Sequence, residues 1–308
     1  MLISNSLVNR IKAIAESFFD KGATPMSNPN SPMPRPKTTV QKGYAQTWEK
    51  RFGLIQQITE GNGIAENDLP RVLASVARGN EKTRGDGFAP TTYVAFDTPV
   101  ELPLRPAQRL HRGAVTEMVH DSCTETTDLI VELGSGWGEH LFNIWLEGGP
   151  RNAEYVACEI EEWGRKCSML LQELEPRIAL STAFFDYRQP DFSTLPKHRR
   201  EAVVYSVQSV EQVDFLGDDL VTKMLGIADN VSGLHFEPVG WQMIPDADKK
   251  PHTLAHEERC RTKKYNENLW PLLQRHADKG DIEITQSIPN FFGHIYNPVS
   301  LIAWRKRK

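Results

Sequence analysis

Two hydrophobic periods alternate along this chain. Leu129-Ile-Val131 is a short unbroken apolar run, which predicts a parallel strand covered on both faces. Helical spacing follows from Glu139 to Glu147 and stops at Gly148-Gly-Pro150. The run Ala153 to Glu159 predicts a second strand. Ile178 to Tyr187, Ala202 to Gln208 and Val231 to Pro238 predict three more. Glu267 to His276 has a helical face carrying Leu269, Leu272 and Leu273. Ile282 to Ile288 alternates as a strand, Pro289 to Pro298 reads as a connection, and Val299 to Trp304 as a last strand.

Ahead of this block the period is helical. Leu7, Ile11, Ile14, Ala15, Phe18 and Phe19 share one face of a helix over residues 1–20, expected to pack on the body of the protein or on a second subunit, with a lid over the active site as the competing reading. Five prolines between Pro25 and Pro36 mark a linker over about residues 21–40. Trp48, Phe52 and Ile55 give a face to a helix from Tyr44 to Ile58. Leu69 to Arg78 follows with Asn67 or Asp68 as its cap and Pro70 in its first turn. Residues 79–90 read as a loop, and Tyr93 to Phe96 and Val100 to Leu102 as short extended pieces. Pro106 to His120 is the helix that leads into the first long strand.

Strands alternating with helices describe an α/β protein. Its chemistry centres on Glu132-Leu-Gly134-Ser-Gly136-Trp-Gly138-Glu139, at the join of the first of these strands and its helix. Glycines there permit a tight turn and close approach of a ligand. The helix start presents N–H groups and a positive dipole end. A dinucleotide site wants G-x-G-x-x-G. Here the third glycine comes one place early, and an acid, Glu132, stands two places before the first.

The pattern E-x-G-x-G-x-G after an apolar strand resembles motif I of the class I S-adenosylmethionine-dependent methyltransferases. Glu159, ending the second strand, resembles the ribose-binding acid of motif II, with Glu161 and Glu162 as near competitors. Asp186 falls where the family contacts adenine, with Phe185 or Tyr187 against the ring. Gln208 ends the strand where motif IV falls. The resemblance spans roughly Gln108 to the C-terminus. It implies a Rossmann-like, seven-stranded, mostly parallel sheet with helices on both faces and the last strand inserted antiparallel. A helical N-terminal extension (1–105) would precede the cofactor domain (106–308) and contribute to the substrate pocket. It also implies that Glu132, Gly134, Gly136 and Gly138 hold the methionine part of S-adenosylmethionine, and that S-adenosylhomocysteine is released.

Bulk properties are those of an ordinary globular chain. The 308 residues are 39% hydrophobic and 25% charged, with net charge −4, so nothing global calls for nucleic acid or an acidic membrane. No apolar run is long enough to span a bilayer, and Met1 to Arg10 lacks the form of a secretory signal. Cys123, Cys158, Cys167 and Cys260 contain no C-x-x-C pair, which points to reduced thiols and a cytoplasmic location.

Acceptor chemistry is expected after the fourth and fifth strands, because ligands in open α/β sheets lie at the carboxyl ends of strands. Glu211 is a candidate base or substrate contact there, with Gln208 and Gln212 beside it; an exposed acid at a helix start is the competing reading. His235 is a candidate general base, though alternation lets only one of His235 and Phe236 face the pocket and a satisfied structural histidine is the competing reading; Glu237 is a candidate substrate contact. His252, His256 and Cys260 would share one helical stripe. The outer two are about 12 Å apart along the axis, too far for one metal, so no metal is assigned. Arg259, Arg261, Lys263 and Lys264 read either as a solvated face or as a greeting for an anionic substrate.

The expectation is a methyltransferase acting on an O or N nucleophile of a small molecule, possible as a homodimer. A peptide or protein acceptor is the alternative within the class. An NAD-dependent oxidoreductase and a non-catalytic cofactor-binding protein are the alternatives outside it.

Overall fold

The computed structural model describes residues 37–61, 68–81 and 90–307. The helix expected over residues 1–20 and most of the proline-rich linker lie outside them. In chain order the elements are α1 (Lys37–Gly61), α2 (Leu69–Glu81), β1 (Pro90–Ala95), β2 (Thr98–Pro103), α3 (Leu104–Asp121), β3 (Leu129–Leu133) and α4 (Glu139–Leu146). Then come β4 (Glu154–Cys158), α5 (Glu162–Leu174), β5 (Leu180–Ala183), β6 (Arg199–Val207), α6 (Asp219–Leu225), β7 (Ala228–Glu237) and α7 (Gly240–Met243). The chain closes with α8 (Pro251–Lys263), α9 (Leu269–Lys279), β8 (Ile282–His294) and β9 (Val299–Lys306).

The nine strands among the described residues form one sheet in the order β2-β1-β8-β9-β7-β6-β3-β4-β5. The five strands from β7 to β5 are parallel to one another. β9 runs antiparallel between β7 and β8, which is the reversed last strand expected from the sequence. The count of seven is corrected to nine, because the short extended pieces form a hairpin, β1–β2, that extends the sheet beyond β8. Tyr93, Val94 and Ala95 pair with His294, Gly293 and Phe292. β8 also runs further than the alternation suggested. Pro289 does not end it, since irregularities between Ile284 and Gln286 and between Ile288 and Phe292 absorb the break in register. At the other end of the chain, α1 begins at Lys37, inside the segment expected to be linker.

Alternation along each strand builds two cores. Leu129, Val131 and Leu133 of β3 face one way, with Val204 of β6, Trp304 of β9, Leu220 of α6 and Leu272 of α9. Ile130 faces the other way, with Tyr205, Phe236, Val115 of α3, Phe142 of α4 and Leu171 of α5. Every residue of β3 is buried, as a central parallel strand requires. The N-terminal helices join the second of these layers: Ile55 of α1 and Val72 and Val76 of α2 are fully buried in it. α1 lies on α5, where the Phe52 and Trp163 rings are 5.3 Å apart. No helix among the described residues is long and apolar enough to cross a membrane.

Candidate cofactor and acceptor cleft

The carboxyl ends of β3, β4, β5 and β6 open onto a cleft of about 910 Å³. Gly134 and Gly136 of the turn line its floor, and they and Gly138 all take positive φ (67°, 57° and 81°). Both requirements for glycine, conformation and space, are met at Gly134 and Gly136. A Cβ on Gly134 would sit 2.5 Å from Ser209 Cβ, and one on Gly136 would sit 2.9 Å from the Trp48 ring. The turn's own amides are largely occupied in holding it. Gly134 and Ser135 donate to the Cys158 carbonyl, at 2.7 and 3.0 Å, and Gly136 donates to Glu159 Oε2 at 2.7 Å. The first turn of α4 follows, and there Glu139 and His140 line the cleft.

Two buried acids frame this turn. Glu132 is 2% exposed, and its Oε2 has no hydrogen-bond partner. Burial raises its pKa well above the usual carboxylate range, and Glu139 and Glu159 add to the rise. Glu159 lines the cleft, but both its oxygens accept backbone amides, from Gly136 and from Glu161 at 2.8 Å. Each oxygen retains a second lone pair for a hydroxyl. Of its two sequence competitors, Glu161 also lines the cleft, whereas Glu162 points outward to Lys166 at 2.7 Å.

Asp186 lines the cleft beyond β5, held by the Arg188 amide at 2.9 Å. Phe185 and Tyr187 form an edge-to-face pair, centroids 4.9 Å apart, against the wall. Tyr187 also ties elements together. Its hydroxyl donates to the Leu133 carbonyl at 3.0 Å and lies 2.8 Å from Ser209 Oγ. Ser209 in turn donates to Leu133 at 2.8 Å, and its amide donates to Glu237 Oε1 at 3.2 Å. This small network fixes the ends of β3, β6 and β7 relative to one another. Gln208, just before it, is forced to φ 47°, a left-handed backbone uncommon for a residue with a side chain.

The three acceptor-side candidates separate cleanly. Glu211 lies in a single 3₁₀ turn (Val210–Gln212) rather than at a helix start, and it lines the cleft. It is 8% exposed, accepts Asn297 Nδ2 at 3.0 Å and Gln212 Nε2 at 2.9 Å, and burial lifts its pKa to about 7. Glu237 is fully buried beneath Ser209 and does not reach the cleft. Burial pushes its pKa to about 8, with Glu211 contributing. His235 is corrected from candidate base to interior histidine. The alternation turns it to the other face of β7, where it lies 3.0 Å from Ser206 Oγ and accepts the Trp304 indole N–H at 3.0 Å. Burial lowers its pKa to about 4, so it stays neutral. Gly138 lies on the far side of the turn from the cleft, against Ser168.

Several lining residues escaped the sequence reading. Tyr44 and Trp48 of α1 reach over the glycine turn, and the Arg51 guanidinium stacks on Trp48 and on Trp137, 5.4 and 4.7 Å from the ring centroids. Tyr265 and Thr262 enter from the end of α8. Nothing in their local sequence marks them, because they are brought in by packing of elements distant in the chain. The stripe on α8 is buried: His252 pairs with Asp97 at 2.9 Å, while His256 and Cys260 are 1% and 0% exposed.

The strand order with one reversed strand between β7 and β8, the glycine turn after β3 and acids after β4 and β5 together make a Rossmann-like α/β arrangement. No protein-family model matches the chain, and no curated protein is significantly similar to it. Solved structures similar to it include several methyltransferases. One is magnesium protoporphyrin IX methyltransferase from Synechocystis PCC 6803 with bound SAH: 12% identity, TM-score 0.44, 66% of this chain and 85% of that one covered. Another is the plantazolicin methyltransferase BpumL with a monoazolic desmethylPZN analog and SAH: 14% identity, TM-score 0.42, 88% and 99% covered. A third is a ribosomal protein L11 methylase from Lactobacillus delbrueckii subsp. bulgaricus: 8% identity, TM-score 0.40, 66% and 82% covered. At such scores the likenesses carry no argument about the reaction.

Proposed function

We propose that this chain is an S-adenosylmethionine-dependent methyltransferase that modifies an O or N nucleophile of a small molecule. The observation that carries the reading is Glu132: a buried carboxylate with an unpartnered oxygen, at the floor of a glycine turn that lines a large cleft. A carboxylate in that position is costly unless a cation meets it. The ammonium of the cofactor's amino acid end supplies one, while the first turn of α4 suits the adjoining carboxylate. Glu159 would accept from the ribose hydroxyls, Asp186 from the adenine amine, and Phe185 would flank the ring. Tyr187 and Gln208 complete this end of the wall.

When bound, the cofactor supplies a methyl group on a sulfonium. The chain's residues then have to align an acceptor and take up its proton. Glu211 fits the second task, since a pKa near 7 makes it ionised in part at neutral pH and able to accept a proton. Glu237 acts through Ser209, as a positioning residue for the loop that carries Gln208 and Glu211.

Calorimetric titration of the purified protein with S-adenosylmethionine, S-adenosylhomocysteine and NAD tests this. Micromolar binding of the first two and none of NAD is expected. Binding of NAD alone would replace the reading with the oxidoreductase.

A further inference from the structure

The cleft is electrically divided. Glu132, Glu139, Glu159, Glu161 and Asp186 line it around the glycine turn and the ends of β4 and β5, where Arg188, 3.8 Å from Asp186, is the one guanidinium among the described lining residues. Around Glu211 the lining changes sign: Lys263 and Lys264 enter with Thr262, Tyr265 and Val213. Arg259 adds to this end, because it and Lys263 both pull the Glu211 carboxyl down against the effect of burial. Arg261, the remaining base of the run, is turned away to Glu257 at 2.9 Å and to Glu267 at 3.7 Å. A chain of net charge −4 thus brings Lys263 and Lys264 into the lining of this cleft.

The backbone supports a specific placement of this charge. Lys264 caps α8 with φ 56°, the left-handed conformation that helix ends normally assign to glycine or asparagine. Two of the described residues with a side chain and positive φ, Gln208 and Lys264, line this cleft. Strain of this kind persists where surrounding structure requires it, and here it carries the Lys264 side chain to the cleft wall.

We propose that the acceptor is an anionic small molecule, whose carboxylate or phosphate is held by Lys263 and Lys264 while its hydroxyl or amine faces Glu211. The inference rests on the methyltransferase reading and adds the acceptor's charge and the residues that select it. In the transfer the nucleophile's lone pair forms the new bond to the methyl carbon. The carbon–sulfur bond breaks with its electron pair going to sulfur, and the nucleophile's proton passes to the Glu211 carboxylate. Tyr44 and Tyr265 give this end flat walls, which suits a planar acceptor.

The test uses the full chain saturated with S-adenosylhomocysteine and ligand-observed NMR. The probes are hydroxy- and amino-aryl fragments, each present as carboxylate, phosphate ester and neutral carboxamide. Anionic members are expected to bind about tenfold or more tightly than their carboxamides, the worth of a hydrogen bond to a charged group. A preference between carboxylate and phosphate identifies the anionic group. Lys263→Gln combined with Lys264→Gln is expected to abolish the anionic preference. Equal binding of carboxamides, no binding of any anionic member, or a preference that survives both substitutions would overturn the proposal. Titration of the same proteins with S-adenosylhomocysteine separates the two readings: affinity for it with no anionic preference sinks this inference alone, and no affinity sinks the methyltransferase reading.

Discussion

Single residues at the cleft differ in whether they act on the ligand or on the chain. Asp186 is partly exposed and its neighbours are local, so Asp186→Ala should weaken S-adenosylhomocysteine binding by roughly tenfold to a hundredfold, the loss of one charge-assisted hydrogen bond. Circular dichroism and melting temperature should stay unchanged, and unchanged affinity would remove Asp186 from the site. Gly136→Ala acts on both. Its left-handed backbone costs about 1–2 kcal/mol with a side chain, and the new Cβ would press on Trp48. Lower stability and lower affinity together are expected, seen in a melt and a titration. Glu211 reports through pH. Its carboxyl must be ionised to take a proton, so turnover should rise as pH climbs through about 7 and level off above it. Glu211→Gln should remove that rise and most of the activity while leaving cofactor affinity in place. A rise that persists in the variant would assign it to another group. These residues were legible because each follows a strand end or glycine turn; for His235 the sequence left base and structural histidine open, and only its pairing with Ser206 and Trp304 in the folded sheet decides for the latter.

Among the elements, α1 is the least expected contributor. Its apolar spacing announced a packed helix, and Phe52 and Ile55 do pack. Its partner surface was not legible, since the glycine turn and α5 lie far downstream in the chain. The Cys167 thiol lies 3.6 Å from the Trp48 carbonyl, and the Trp48 ring closes over Gly136. Trp48→Ala should therefore reduce cofactor affinity, by about 1–3 kcal/mol for the buried aromatic area lost. The melting temperature should change little, because Trp48 is only partly buried. A titration paired with a melt decides it: loss of stability at full affinity would make α1 a packing helix only. The β1–β2 hairpin shows the complementary limit. Its strands were visible as short extended pieces, but joining β8 depends on an edge that only the folded sheet presents.

At the scale of the whole molecule, buried acids set how stability responds to pH. Glu211 and Glu237 titrate near 7 and 8 in the folded chain, well above ordinary carboxyls. Where a folded pKa is raised, the folded state binds more protons than the unfolded one. Their contribution is therefore full below the unfolded pKa and is lost as pH rises through about 7 to 8. The melting temperature should fall as pH moves from about 5 to 9. Glu237→Gln, which keeps an acceptor for the Ser209 amide, should flatten that fall by a few degrees at pH 9 and change little at pH 5. An equal fall in the variant would assign the dependence elsewhere. Periodicity along the sequence by itself determined the alternation of strands and helices, the buried β3 strand and the spacing of the glycine turn and its acids, because local sterics and side-chain period govern those. Tertiary structure alone decided the nine-stranded order, the seating of Trp48 on Gly136, the burial that lifts Glu211, and the approach of Lys263 and Lys264 to it. Each of these joins residues far apart in the chain, and their distance and shared desolvation exist only once the elements have packed.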